Sequence, residues 1–545
     1  MKRFVFSIFA AFVLLLDGSV NAQISHGGDP LFNQSFRKAK ASMVYLPVVD
    51  NSRLLEEDLD MAKGASPLRI GVVQQTEIDF FKEAIHLSDA NGEHYLLAVN
   101  SPDASFVSLH FSVFSPAAEG ELFFYDQSGE LVLGKFLSSD VKEDGSFYTQ
   151  AITGNTAYIE YNVPSGVEPG RLVIDEVGHG YKDIFKSAGS GSDKGYHGNA
   201  DGNCHINVAC SEGDDWRDQI RLVVAIEITA GGYIYMCTGT LINNTRQDKT
   251  PYVLSAHHCQ DVGTVSRFVS YFLYQTNTCN GTVGPYNQSV TGATIKAKLS
   301  GQAGSDFLLL KLNSNIPDAY KPYYSGWNRN NIVSPSVGVC IHHPGGDYKK
   351  ISIPRSITRL TGSYVNYYSV YWYTGTENKG VTEQGSSGSA IFDGYKRIVG
   401  QLYAGSSSCD NMGGYDLYGR LYKSWSGDGT TTGSLQSWLD PDETGVAFLD
   451  GLNYKNEGID IADVSSRTFS VYPNPTSGIV HFDIDALGDA NYKVFDLNGR
   501  CVLEGSTVLT SMVQAINLGS LPKGSYLLNL YTSSSSYSAK VIIAR

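Results

Sequence analysis

Gly385-Ser386-Ser387-Gly388-Ser389-Ala390 places serines in a run whose glycines free the backbone on both sides. Such glycines let a chain turn sharply, expose a hydroxyl and aim two amide N–H groups at one point. A Gly/Ser cluster met alone is more often a linker. This one stands between Gly380-Val381-Thr382-Glu383 and a candidate strand at 390–393, with Ile398-Val399-Gly400-Gln401-Leu402 following. Linkers are not set among strands, so Ser387 becomes a candidate nucleophile.

A serine hydroxyl needs a base at neutral pH, and imidazole is the usual one. Ser255-Ala256-His257-His258-Cys259 follows the apolar run at 252–254. Two histidines in a surface loop would be the bland reading. Yet Cys237 lies 22 residues before Cys259, ahead of Thr238-Gly239-Thr240-Leu241. A disulfide between the two would pin the histidine turn against a neighbouring strand. The third member has to be a carboxylate that orients the imidazole. Asp306 heads a run, 307–312, in which five of six residues are apolar. Most strand-initial aspartates only make turns, but a desolvated carboxylate is costly unless paired. The order His258, Asp306, Ser387 is that of chymotrypsin-type triads.

Further segments extend this pattern: Cys204-x5-Cys210, Ser325-Gly326-Trp327, Ile341-His342-His343-Pro344, Tyr418-Gly419-Arg420 and Trp438-Leu439-Asp440-Pro441. With them, residues 195–454 resemble the bacterial lysyl endopeptidase family of trypsin-like serine proteases. The resemblance implies an all-β fold, a double β-barrel with the site between the barrels. It assigns Ser387 as nucleophile, His258 as base and Asp306 as orienting acid, with His257 not catalytic. The backbone N–H groups of Gly385 and Ser387 would form the oxyanion hole. Disulfides would join Cys204 to Cys409, Cys210 to Cys279 and Cys237 to Cys259, leaving Cys340 and Cys501 unpaired. Asp416 matches the pocket aspartate that would meet a substrate ammonium. Two departures bear on the pocket: Tyr403 stands where the family has a histidine, and no tryptophan occurs near 362–368, where the family places one that stacks on it.

Composition bounds the remaining possibilities. A chain of 545 residues calls for several domains, and a net charge of −14 argues against nucleic acid, whose binding needs a basic surface. Lys2 and Arg3 precede an uncharged run at 4–16, and Val20-Asn21-Ala22 supplies small residues at a cleavage site, so 1–22 reads as a signal peptide. Those 13 residues are too few for the roughly 20 of a membrane span, and no transmembrane segment is expected. Export permits disulfides. Seven of the eight cysteines fall between Cys204 and Cys409, which marks one stapled domain flanked by others without that need.

Residues 23–194 read as a β-sandwich-like pro-domain, with a helix-like region at 77–85 and strands at 93–99, 106–114, 121–126, 157–163 and 171–177. A carbohydrate-binding or adhesive sandwich is the alternative for this unit. The Gly/Ser run at 187–193 ends on Lys194, a candidate maturation site. After a linker at 455–466, residues 467–545 form a second small β-sandwich. Its Val471-Tyr472-Pro473-Asn474-Pro475 and Leu521-Pro522-Lys523-Gly524 resemble the type IX secretion sorting domain of Bacteroidetes. That implies the type IX machinery as partner, passage through the periplasm, and a secreted or outer-surface location.

The expected activity is hydrolysis of peptide bonds after lysine by a monomer made as a zymogen, with peptides and proteins as substrates. A catalytically dead homologue acting as a surface adhesin is the alternative from another class, and arginine selectivity is not excluded by Asp416. His342-His343-Pro344 invites a metal reading. With no third ligand at suitable spacing and no H-E-x-x-H, neither metal nor cofactor is expected.

Overall fold

The computed structural model describes residues 25, 28–32, 41–61, 66–141, 145–185, 204–301, 304–373, 379–455, 467–482, 488–496, 501–509, 514–531 and 536–544. The expected signal peptide, the linker at 187–193 with Lys194, and the linker after Lys455 lie outside them. The chain divides into two compact units, Met1–Tyr454 and Lys455–Arg545.

Two barrel-like sheets hold the candidate site residues. In the first, Val223–Ala230, Tyr233–Leu241, Tyr252–Ala256, Phe307–Leu312 and Ala293–Leu299 follow one another as antiparallel neighbours. Val265–Tyr271 and Ser289–Thr291 extend the other edge. The second runs Ile206–Asn207, Lys350–Ser352, Cys340–His342, Ala390–Phe392, Ile398–Gly405, Tyr415–Arg420, Tyr367–Trp372, Pro354–Arg359. One core joins them: Leu254, Leu308 and Leu310 of the first pack in the same cluster as Trp327, Ile341 and Phe392 near the second. A fully buried leucine contributes about 2 kcal/mol, so this shared core fixes loops from both sheets beside each other. Strand Phe307–Leu312 is buried at all but Lys311, which is why its sequence is nearly continuous in apolar residues rather than alternating.

Ahead of these sheets, the expected strands form as Gly92–Asn100, Phe106–Pro116, Glu121–Tyr125, Thr156–Val163 and Gly170–Gly180. They make two layers. One is a six-stranded sheet of Ser42–Tyr45, Ile85–Asp89, Gly92–Asn100, Thr156–Val163, Glu121–Tyr125 and Val132–Phe136. The other contains Leu68–Asp79, Gly170–Gly180 and Phe106–Pro116. The helix-like reading of 77–85 gives way to the end of the Leu68–Asp79 strand, a single helical turn at Phe80–Glu83, and a new strand at Ile85–Asp89. The second layer does not stop at the unit's edge. Leu68–Asp79 pairs with Tyr233–Leu241 in the register Val72↔Tyr233 and Leu68↔Met236, so a single twelve-stranded sheet crosses from one sandwich into the first barrel.

The second compact unit is a sandwich of its own. A five-stranded sheet (Arg467–Thr468, Ser536–Ile543, Gly524–Tyr531, Gly488–Phe495, Cys501–Leu509) faces a three-stranded one (Val471–Tyr472, Ile479–Phe482, Gln514–Asn517) across a core that includes Val480, Val494, Leu528 and Val541.

Candidate active site

His258 sits in a one-turn 3-10 helix, His257–Cys259, at the end of the Tyr252–Ala256 strand. That strand pairs with Phe307–Leu312 through Ala256↔Phe307, which brings the residue before Phe307 beside the turn. Asp306 adopts a left-handed backbone (φ 59°), a conformation that aspartate tolerates better than most residues. Its main-chain oxygen accepts the His257 N–H at 3.1 Å. Its carboxylate accepts the His258 N–H at 3.2 Å and bonds His258 Nδ1 at 2.7 Å. An ionised carboxylate can only accept, so Nδ1 carries the hydrogen, and in the neutral imidazole Nε2 presents a lone pair. Nε2 is buried and has no hydrogen-bond partner among the described residues. Burial pushes the Asp306 carboxyl above its ordinary range, against the pull of the His258 contact. His257 is half-buried, with its imidazole pushed down by burial and Gln260 Nε2 3.3 Å from its Nε2.

The Ser387 turn is held from both sides. The Ser387 carbonyl accepts the Thr238 N–H at 2.9 Å and lies 3.8 Å from Cys259 Sγ, next to His258 in the chain. Gly388 has φ 83°, and a Cβ there would come within 2.2 Å of Ser255 Oγ, so only glycine fits. The amides alternate in use. Ser386 N–H bonds Glu383 O at 3.0 Å and Gly388 N–H bonds Leu402 O at 3.0 Å. Those of Gly385 and Ser387 make no internal hydrogen bond among the described residues. Two donors on one turn are thus left for an oxygen of something else. The disulfide Cys237–Cys259 ties this histidine turn to the adjoining strand, and Cys204–Cys409 and Cys210–Cys279 are also paired.

His342 and His343 are bound up in support of that turn. His342 Nδ1 is 2.7 Å from Ser386 Oγ and its Nε2 is 2.9 Å from Ser352 Oγ. Burial drives its imidazole well below the usual range, and that of His343 down to about 3. Cys340 is buried with its thiol pushed up to about 12, and Cys501 is exposed.

Asp416 is 1% exposed on the strand Tyr415–Arg420. Its Oδ2 accepts from Trp372 Nε1 at 2.7 Å, Thr382 Oγ1 at 2.6 Å and Ser407 Oγ at 2.6 Å, and Oδ1 accepts the Ser407 N–H at 3.3 Å. Burial raises its carboxyl above the ordinary range while the Ser407, Thr382 and Trp372 donors pull the other way. Of these partners, Thr382 lies in a segment singled out from sequence. Trp372 and Ser407 were missed. Strand pairing, Val370↔Asp416 and Gly405↔Asp416, brings both near the carboxylate, and no local signal in the sequence marks either.

Tyr403 lies beside the histidine turn. The register slips between Leu402 and Ala404, so Tyr403 is the residue of a β-bulge, a device that re-aims a side chain. Its ring lies edge-on to His258 at 6.2 Å and stacks on Tyr367 at 5.1 Å. Tyr367 Oη donates to Gly301 O at 2.6 Å. The ring stacked on Tyr403 is thus a tyrosine, within the 362–368 segment where the resembled family places a tryptophan.

Residues 198–419 match the family model described as the lysyl endopeptidase C-terminal domain. A lysyl endopeptidase of Pseudomonas aeruginosa is 32% identical over 286 residues, covering 50% of this chain and 59% of that protein. The chain thus spans little more than half the length of that curated relative. Among solved structures, a Glu endopeptidase in complex with MPD is 22% identical, covering 40% of this chain and 92% of its own, with a TM-score of 0.28. The protease Anisep from Arthrobacter nicotinovorans is 17% identical over 37% of this chain and 91% of its own, at 0.29. Residues 470–544 match a secretion system C-terminal sorting domain, which directs type IX secretion to the cell surface or the extracellular space. No helix among the described residues is long and apolar enough to cross a membrane.

Proposed function

We propose that the protein is a secreted serine endopeptidase that cuts after lysine through an acyl-enzyme. The observation that carries this reading is the free Nε2 of His258, its ring oriented by Asp306 at 2.7 Å, next to a serine turn with two unused amides. In the proposed cycle Ser387 Oγ attacks the scissile carbonyl while His258 Nε2 takes its proton. The imidazolium is stabilised by Asp306, and the N–H groups of Gly385 and Ser387 receive the oxyanion. His258 then returns the proton to the leaving amine, and water, activated by the same nitrogen, releases the acyl group. Asp416 would receive the lysine ammonium, whose compact charge suits a small polar pocket better than a planar guanidinium does.

The enzyme would be made as a zymogen, trimmed after Lys194 by its own activity, and exported by the type IX machinery. The test is covalent labelling by a fluorophosphonate. One adduct on Ser387, absent in Ser387→Ala and slowed strongly in His258→Ala, is expected. A properly folded, processed protein that takes no label would instead favour the non-catalytic surface binder.

A further inference from the structure

The sandwich that precedes the protease barrels does not merely adjoin them. Beyond the shared strand pair, its side chains Leu68, Ile70, Phe106, Ile184 and Phe185 form one core with Ile234, Met236, Tyr271, Tyr274, Tyr286 and Tyr348 of the protease domain. Phe185, the last described residue of the sandwich, lies among the rings of Tyr271, Tyr274 and Tyr286 at 5.1, 5.7 and 5.3 Å. Polar groups cross the same boundary. Tyr148 Oη donates to Phe268 O at 3.1 Å, Ala151 N–H to Tyr271 Oη at 3.0 Å, and Gln150 Nε2 to Tyr286 O at 3.0 Å. Arg267 pairs with Glu176 at 2.5 Å, the arginine side chain 10% exposed.

One part of this contact leads to the candidate oxyanion turn. Tyr274 Oη lies 2.5 Å from Ile184 O on the sandwich side and 3.2 Å from Gly346 O on the protease side. A Cβ on Gly346 would stand 3.1 Å from Leu68 Cδ2 and 3.2 Å from Ile184 Cγ2, so these two side chains close directly over that glycine. Gly385 lies on the loop packed against this one: Gly345 N–H donates to Gln384 O at 2.6 Å, and a Cβ on Gly385 would meet Gly346 N at 2.8 Å. The path from Leu68 and Ile184 through Gly346 to Gly385 is continuous packing with no intervening solvent-exposed residue.

The geometry points to residues 41–185 as a lasting subunit of the enzyme: after the chain is cut beyond Phe185, they stay bound, and Leu68 and Ile184 act as positioning residues for the 384–388 turn. The inference deepens the proteolytic reading, because the turn it concerns is the one proposed to bind the oxyanion. An inhibitory plug that must be shed would pack against the residues it blocks. This sandwich instead completes the sheet and the core on which the site stands. Burial of this kind does not lapse when a connecting segment is opened, since neither the strand pair nor the aromatic cluster depends on covalent continuity.

The experiment uses the full chain with Ser387→Ala, so that it needs no activity and survives a failure of the proteolytic reading. A recognition sequence for an unrelated site-specific protease is inserted after residue 190 and cut. Both pieces are expected in a single peak on native size exclusion, parting only in denaturant. A folded protease piece that elutes alone overturns the inference. Hydrogen exchange then tests the positioning role. Ile184→Ala is expected to speed exchange at the Gly345 and Ser386 amides at least tenfold, whereas Leu133→Ala, in the other sheet of the same sandwich, leaves them within twofold. Equal effects of the two variants, or none at those amides, would overturn it. Should Ile184→Ala fold poorly, Ile184→Val serves, with the same ordering and a smaller change.

Discussion

Two buried aspartates, Asp306 and Asp416, are 1% exposed alike, and burial pushes both carboxyls upward. Their partners differ in kind. Asp306 faces an imidazole at 2.7 Å, a group able to take a positive charge during a reaction. Asp416 faces an indole, two hydroxyls and an amide, all neutral. Neutral donors offset the desolvation of a carboxylate only in part, because none supplies a countercharge. On the proposed reading, the first aspartate has its cation supplied from within, and the second obtains its cation from the substrate. The lesson is that burial alone does not mark a role; the partner's capacity to carry charge does.

The comparison can be broken first at Asp306. Replacing it by Asn keeps the shape but lets Nδ1 be the acceptor, so His258 would hold the wrong tautomer. Asp306→Asn is expected to lower kcat by about 10⁴, as are Ser387→Ala and His258→Ala by at least as much. The turnover of a lysyl ester measures each. His257→Ala is the control, since that ring does not bond the Asp306 carboxylate, and it should stay within about tenfold. A silent His258→Ala with an inactive His257→Ala would reverse the assignment.

A smaller effect is expected at the neutral donors of Asp416. Ser407→Ala removes a hydrogen bond worth about 1 kcal/mol, so kcat/KM for lysine substrates should drop about fivefold. It should also move the acid limb of the pH profile. The Asp416 carboxyl already lies above its ordinary range because of burial, and losing a donor that favours the charged form raises it further. Protonation then sets in at higher pH, and lysine cleavage should fade earlier on acidification than in the parent enzyme. An unshifted limb would mean that Asp416 does not meet the substrate charge. The smallest effect is expected at Tyr367→Phe, which keeps the ring stacked on Tyr403 and removes only the bond to Gly301 O. Rates within about threefold are expected, as suits loss of one neutral hydrogen bond.

Much of this site was legible in sequence because its chemistry is local. The glycines around Ser387, the His258–Cys259 pair and the aspartate heading Phe307–Leu312 each announce themselves within a few residues. What stayed hidden depends on pairing over long distances. Trp372 reaches Asp416 because Val370 pairs with it across 46 positions, and no spacing rule points there. Tyr403 occupies the position expected from family likeness, yet a one-residue bulge turns it toward His258 and Tyr367, and nothing in 398–405 signals a bulge. The strand Leu68–Asp79 went unread because its partners come from 170–180 and from another domain at 233–236, so no hairpin turn frames it. The sandwich strands with their own turns were visible, whereas the continuity of sheet between domains was not.

The most direct test of the account is the identity of the bonds cut. Mass spectrometry of products from an unbiased peptide mixture, with the parent enzyme beside Asp416→Asn, reads both the chemistry and the pocket. The account predicts new C-termini at lysine well above arginine, and a loss of about a hundredfold or more in kcat/KM at lysine when the carboxylate becomes an amide. Equal cleavage after lysine and arginine, or an Asp416→Asn enzyme cutting lysine bonds at the parent rate, would contradict it.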